Sequence, residues 1–555
     1  MNRSSTSPSV RLAAVLSVIV LGLSACTSAP SPNKTVKKQV RFLHLADMHA
    51  QMDTHWEYLP EDPDHLHRMG GFARIKTALD QLRASAPGAV FTADGGDTFQ
   101  GSAVAAWTKG EAVIAPINAL GFDVGIPGNW EVVYGPEAFR KLLNEVSYKV
   151  VCYNFEDTVS KQRIFPPAII LEKEGVKVAF VGVTDPTTTT RQPPNQVKGL
   201  DSTHMEGLQK FVLDLKAKQH PDLVVLIDHT GLAPSVQIAH DIPEFDIILS
   251  GHSHERTYHE IKVGNTIVVE PGSMGSFIGK LDVTVEGGKV TEHQFELVKV
   301  EESQYAENAE VKKLVETAER PFRKRLDKVV GFTRTPLLRY DVLEGSMDNL
   351  VADAVRAKAH TDMGYTNGFR FSPPIAPGPI TEADLWLILP LDARIKAGRV
   401  TGKELKAYLE NEMELVFAKD PFALSGGWGP RPSGVEIVFH AQGEKGKRIK
   451  SVKVGGKEIK DEKSYTMGGC ERDGEELDII CRLKGVQEAY VVKGTIHQAL
   501  TEYIKKNSPL QLVREKRVRA DDLPDQVWSQ YGMLQKMWGL PGSAEAVKIP
   551  ESNKP

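Results

Sequence analysis

The sequence has 555 residues, enough for two large domains or three to four ordinary ones. Hydrophobic residues make up 41% and charged residues 25%, which excludes a mostly disordered chain and a coiled coil. A formal net charge of −4 provides no global basic field, so nucleic acid is not expected as a partner.

At the N-terminus Arg3 and Arg11 lead into the apolar run Leu12 to Leu23, too short to span a bilayer comfortably. A basic start, a short apolar core and small residues before a cut point predict a signal peptide over 1–25. Leu23-Ser24-Ala25-Cys26 resembles the lipobox of bacterial lipoproteins. The resemblance implies cleavage before Cys26, lipidation of its thiol and a flexible tether over 26–38. It also implies a lipid-anchored protein of the cell envelope, reaching the membrane through that anchor. The outer membrane or the periplasmic face is favoured, because Thr27 rather than an aspartate follows the cysteine.

From Gln39 onward strand-length apolar runs alternate with amphipathic stretches. The pattern predicts strands at Val40–Leu45, Ala89–Ala93, Val150–Tyr153, Val176–Val183, Leu223–Ile227 and Ile247–Ser250. Helices are expected at Gly71–Ala84, Ala103–Leu120 and Leu208–Ala217. This alternation indicates an α/β or layered-sheet domain over 39–302. A charged helical stretch, 303–328, reads as an interdomain linker. A second mixed α/β unit follows over 329–510, and then a tail, 511–555, whose aromatics from Val527 to Trp538 are expected to pack back as a short helix. No internal repeat is visible.

Five short motifs, most of them just after strands, carry polar ligands: Asp47-Met48-His49, Gly95-Gly96-Asp97, Gly128-Asn129-Trp130-Glu131, Asp228-His229 and Gly251-His252-Ser253-His254. Mixed histidine, aspartate and asparagine donors suit manganese, iron or zinc, and seven of them are too many for one ion. Two divalent ions bridged by one carboxylate would use them all. His44, His55, His65 and His67 read as core or surface residues, and Asp94 as an acceptor supporting the Asp97 loop.

The order and spacing of these motifs resemble the calcineurin-like metallophosphoesterases, and within them the bacterial 5′-nucleotidase branch. That branch implies a four-layer α/β/β/α sandwich followed by a mixed α/β C-terminal domain. Gly345 to Ala354 and Thr366 to Arg370 are similar to motifs of that second domain. The resemblance assigns Asp47, His49 and His254 to one metal, Asn129, His229 and His252 to the other, and Asp97 as the bridge. Manganese is the first expectation, with zinc or iron as alternatives.

One motif departs. Nucleotidases read Gly-Asn-His-Glu-Phe-Asp where this chain has Gly128-Asn129-Trp130-Glu131-Val132-Val133, so the histidine–aspartate dyad of phosphomonoester cleavage is missing. Loss of such acid–base help costs about 10²–10⁴ in rate. Trp130-Glu131 resembles instead the thiosulfohydrolases of sulfur oxidation (SoxB-type), as do Gly95 to Ser102 and Trp107 to Gly110. These release sulfate from a cysteine S-thiosulfonate on a carrier arm, using a metal-activated hydroxide and an acidic persulfide leaving group. Asp97, Asn129 and Trp130 are then the catalytic residues, and Arg370 and Arg431 the candidates to hold the sulfonate or a carboxylate. In the stretch where nucleotidases supply a base-stacking phenylalanine the chain reads Gly468 to Gly474 with no aromatic. A 5′-nucleotidase acting on a small phosphorylated substrate and a non-catalytic surface binding lipoprotein remain as alternatives. Cys152 reads as a small core residue; Cys470 and Cys481 flank an acidic loop and could pair as a disulfide.

Overall fold

The computed structural model describes residues 36–425 and 427–551. The expected signal peptide, Cys26, nearly all of the tether, and Gly426 lie outside these described residues.

Two six-stranded sheets build the first half. In one, Lys38–Leu45, Ala89–Asp94, Val124–Gly125 and Lys149–Val150 run parallel, and the hairpin Phe277–Glu286 with Lys289–Lys299 closes an edge antiparallel. In the other, Val176–Thr184, Leu223–His229, Ile247–Ser250 and Thr266–Val269 are parallel. Ala168–Lys173 and Ile261–Val263 lie antiparallel at its edges. Alternation decides the layers. Val40 and Phe42 meet Phe180, Val225 and Leu249 between the sheets. Leu43 and Leu45, facing the other way, pack under Phe72, Ile75 and Leu79 of the helix Phe72–Ala84. Leu208 and Val212 of Leu208–Gln219 and Val236 of Leu232–Asp241 cover the second sheet. The result is the expected α/β/β/α sandwich. Strands buried on both faces read as continuous apolar runs rather than alternating ones.

Three expectations change. The helix predicted over Ala103–Leu120 is three pieces, Ala103–Thr108, Glu111–Val113 and Ile114–Leu120. Lys109 and Gly110 both take positive φ at the first break. The strand predicted at Val150–Tyr153 shrinks to Lys149–Val150. The stretch 303–328 is not one helix but the α-helix Ala309–Glu319, a 3-10 turn Arg320–Phe322 and a short α-helix Arg323–Leu326, and Val311 and Val315 are buried in the first half's core.

In the second half a five-stranded sheet runs in the order Trp428–Ser433, Met363–Gly368, Ser464–Cys470, Arg394–Thr401, Gln487–Thr495. Helices Ser346–Ala359, Gly402–Phe417 and Ile496–Asn507 accompany it. The last residues are not a loose appendage. Val518–Ala520 pairs in parallel with Val435–Phe439, and Gln530–Trp538 forms the expected short helix. From Lys37 on, the chain is one compact unit.

Candidate dinuclear metal centre

Parallel strands of both sheets end at one place, and the ligand motifs are the turns that follow. Leaving Leu45, the chain is knitted to the neighbouring turn by Asp47 N–H to Gly96 O (2.9 Å) and His49 N–H to Asp97 O (2.8 Å). Asp47, His49, Asp97, His252 and His254 all have φ between 45° and 76°. Residues with a Cβ enter this left-handed region only when their surroundings force them, and such strain clusters at functional sites. Gly128 makes the close approach possible: a Cβ there would stand 2.2 Å from Asp97 Oδ1.

Two donor groups form. In the first, His49 Nε2 and His254 Nε2 face each other at 3.2 Å, with Asp47 Oδ1 3.2 Å from the latter. In the second, Asn129 Oδ1 lies 2.8 Å from His252 Nδ1 and 3.2 Å from His229 Nε2, and Asp97 Oδ2 lies 3.3 Å from His229 Nε2. Asp97 Oδ2 is also 3.9 Å from His49 Nε2, so this carboxylate stands between the groups. All seven sequence-predicted ligands are therefore brought together.

The residues fit a pair of divalent ions. Asp47 Oδ1 and His254 Nδ1 are buried with no hydrogen-bond partner. His49 Nδ1 lies 3.1 Å from Gln100 O and His229 Nδ1 2.6 Å from Gly95 O; donating there leaves each Nε2 free as a ligand atom. Burial lowers His49, and burial followed by the Arg370 and His229 charges holds His252 well below the ordinary imidazole range, which favours the neutral form of both; His229 goes the other way, raised against its burial by the Asp97 and Asp47 carboxylates that a metal ion would otherwise answer. Burial works to raise Asp47, but His254 and His229 hold it well below the usual carboxylate range. Neutral imidazole and ionised carboxylate are the forms that bind metal.

Glu131 secures the loops by accepting from the backbone N–H groups of Asp97, Thr98 and Gly128. Asp94 accepts from Thr98 Oγ1, Gly96 N and Tyr148 Oη, the supporting part expected of it. His44 and His55 are core residues bonded to Ser250 O and Ser276 Oγ; His65 and His67 pair with Asp62.

A cleft opens from the ligands toward the second half. Trp130 lines it, its ring edge-on to Phe371 (5.1 Å between centroids), which in turn lies 5.4 Å from His49. Arg370 reaches the cleft too. It is 6% exposed, with Nε and Nη2 unpartnered, and Nη1 lies 3.5 Å from Gln530 Oε1. Arg431 must be corrected. It is 1% exposed and spends its guanidinium on Asp348 Oδ2 and the carbonyls of Asp341, Val342 and Leu343, so it braces the second half and does not line the cleft. Cys470 and Cys481 are not joined; they are thiols whose Sγ atoms lie 3.5 Å apart, Cys470 lining the cleft's far wall and Cys481 buried behind it.

Comparison with known proteins agrees with this geometry. Residues 40–256 match the calcineurin-like phosphoesterase family, and residues 329–468 the 5′-nucleotidase C-terminal domain. The chain is a hydrolase of the metallophosphoesterase and 5′-nucleotidase type. A 5′-nucleotidase of Vibrio cholerae serotype O1 is 24% identical over 564 aligned residues, covering 91% of this chain and 97% of its own. Two structures from Thermus thermophilus share the fold at 22% identity, each covering 88% of this chain. The sulfate thiohydrolase SoxB has a TM-score of 0.80 over 98% of its chain, and a 5′-nucleotidase precursor 0.77 over 100%.

In this hydrolase several neighbours of the centre escaped the sequence reading. Asp185 follows the strand Val176–Thr184, as Asp47 follows Leu45, and stands 3.9 Å from His252 Nε2; the acid-after-strand signal was there. Tyr340 donates its hydroxyl to His254 O, and Glu255 accepts from Tyr531 N; nothing local announces either contact.

Proposed function

We propose that the protein is a thiosulfohydrolase that releases sulfate from a cysteine S-thiosulfonate carried on a peptide arm. The observation that carries this reading is Trp130. Its indole occupies the position of the nucleotidase histidine, and Phe371 and Phe369 extend it into an aromatic wall (4.9 Å between their centroids). An indole neither gives nor takes a proton. Asp185 accepts the Thr187 amide and hydroxyl, and Glu471 is paired with Arg394, so neither is positioned as a free acid.

The reaction adds water across a sulfur–sulfur bond: R–S–S–SO3⁻ and H2O give R–S–S⁻, SO4²⁻ and two protons. The persulfide leaves as an anion and needs no acid from the protein. Asp47, His49 and His254 would hold one divalent ion, and His229, His252 and Asn129 the other, with Asp97 shared. Bound there, two such ions supply activation of water and neutralisation of developing charge. The chain's own part is to orient and to exclude. Arg370 presents two unpartnered donors, Nε and Nη2, to the sulfonate oxygens. Trp130 is held over the site by its backbone N–H to Asp97 Oδ1 (2.7 Å), and the aromatic wall keeps water from the sulfur–sulfur bond except at the ligands.

The test is side-by-side release of sulfate from an S-thiosulfonate peptide and of phosphate from AMP by the manganese-loaded protein. Sulfate release with little phosphate is expected. Efficient AMP hydrolysis without sulfate promotes the 5′-nucleotidase reading, which the Vibrio cholerae relative supports along 97% of its length. Manganese itself is proposed from the donor set, and elemental analysis decides between it, zinc and iron. A sulfur-carrier protein is the proposed partner. Leu23-Ser24-Ala25-Cys26 supports a lipid-anchored envelope location, checked by palmitate-analogue labelling that Cys26→Ser abolishes.

A further inference from the structure

Beyond the metal ligands and Trp130, the same cleft is lined by Arg191, Arg370, Arg472 and Arg482. They come from four separate places. Arg191 ends the short helix Thr188–Arg191, Arg370 follows Met363–Gly368, Arg472 follows Ser464–Cys470, and Arg482 sits on a turn beyond. Gathering guanidinium groups in a half-buried cleft is unfavourable unless anions answer them.

The protein answers them incompletely. Arg472 lies 3.3 Å from Glu475, and Arg482 is bonded to Glu412, but Arg482 Nε is left without a partner. Among the described residues Arg191 has one side-chain hydrogen bond from its guanidinium, Nη1 to Thr187 Oγ1 at 3.4 Å, and no carboxylate within ion-pair distance. Among the same residues Arg370 has no carboxylate partner either. The crowding is visible at Arg191. Burial, opposed by Asp185 and reinforced by Arg482 and Arg370, pushes it down to about 10.

The turn that carries Arg482 adds a second observation. Ile480 and Leu483 bond to each other in both directions at 2.9 Å, and Cys481 and Arg482 between them have φ of 47° and 71°. That is the φ pattern of a tight hairpin turn that ordinarily takes Asn-Gly, because a Cβ is disfavoured at both positions. Here it is made by two side-chain-bearing residues, one of which lines the cleft wall.

We infer that Arg191, with Arg472 and Arg482, forms a second anion subsite, so that the substrate bears a further carboxylate, phosphate or sulfonate on its leaving portion. This rests on the reading that the cleft is the hydrolytic site. The group held at the metal ligands and Arg370 is the one that is split off. The second group docks on the guanidinium wall and stays with the product. Guanidinium forks bind such oxyanions with two parallel hydrogen bonds, so the wall selects for a planar or tetrahedral oxyanion and against an uncharged leaving portion.

The test is calorimetric binding to the full metal-loaded protein. Methylphosphonate is the single-headed probe. The two-headed probes are ethane-, propane- and butane-diphosphonate and the matching phosphonocarboxylates. At least one two-headed probe is expected to bind about tenfold tighter than methylphosphonate, the worth of one charge-assisted hydrogen bond. Comparing the phosphonate and carboxylate heads identifies the second group. Arg191→Met orphans no carboxylate, and should abolish the advantage while leaving methylphosphonate within about threefold. Arg482→Lys, which keeps a charge beside Glu412, should reduce the advantage in part. No advantage for any two-headed probe overturns the subsite. So does an advantage that survives Arg191→Met, which would belong to the metals alone, or an equal weakening of all probes by that variant. A two-headed preference lost in Arg191→Met supports the subsite even if the sulfate-release assay is negative, so the two readings fail separately.

Discussion

The two walls of the cleft are built on opposite principles. The metal wall comes from strand ends of two sheets. Its donors point at one another, its backbone is held in left-handed turns, and Glu131 and Gly128 lock its loops. The guanidinium wall comes from a short helix end in the first half and turns in the second, and its charges are only partly answered from within the protein. The contrast teaches a division of labour. The first wall gathers the metal donors in turns locked to one another, whereas the second sets partly unanswered charge across the cleft, the part that the proposed anion subsite would use.

The sharpest way to break this contrast is to remove the shared carboxylate. Asp97→Ala should take metal content from two ions toward none and lower turnover by about 10³-fold or more, read by elemental analysis beside the activity assay. His49→Ala should weaken mainly one ion. A stoichiometry of one in the metal-loaded wild type would sink the dinuclear reading.

Next in size is the exchange of chemistry on the metal wall. Trp130→His, alone and with Val133→Asp, should shift the ratio of phosphate to sulfate release by about 10²-fold toward phosphate esters. Val133 is 5% exposed, so the double variant also needs a check of folding, and the single variant keeps the test interpretable.

A third pair of variants separates the two arginines the sequence could not. Arg370→Gln should raise KM about tenfold with little change in unfolding midpoint, since its free donors serve the substrate. Arg431→Gln should instead destabilise the fold by about 3 kcal/mol or more in denaturant unfolding, because it leaves Asp348 and three carbonyls with fewer partners. The smallest effect concerns the far wall. Oxidised glutathione should join Cys470 to Cys481, seen as the loss of both thiols to maleimide, and add about 2–3 kcal/mol of stability.

How legible each wall is in the sequence follows from how it is built. Asp47, His49, Asp97, His229, His252 and His254 could be read because each follows a strand-like run closely, and their spacing survives folding. Asn129 and Trp130 came with the same kind of motif. The four-layer sandwich was legible for the same reason, from buried strands alternating with amphipathic helices. Arg191 and Arg472 were not legible as partners: they meet only through tertiary contact, Arg472 bonding Arg191 O across 281 positions. Arg431 was misplaced because a motif gives no direction to a side chain, and here the strand Trp428–Ser433 turns it inward onto Asp348. The helix read through 103–120 failed at Lys109-Gly110, where two successive positive φ values end the first piece.

The contact between Tyr531 N and Glu255 Oε1 joins residues 276 positions apart, and Gln530 beside it lies 3.5 Å from Arg370 Nη1. The turn bearing His252 and His254 is thus backed by residues that the ribosome adds long afterwards. The ligands are translated first and this brace well after them, so a product cut short before Gln530 would hold every metal ligand and still lack the contacts to Glu255 and Arg370.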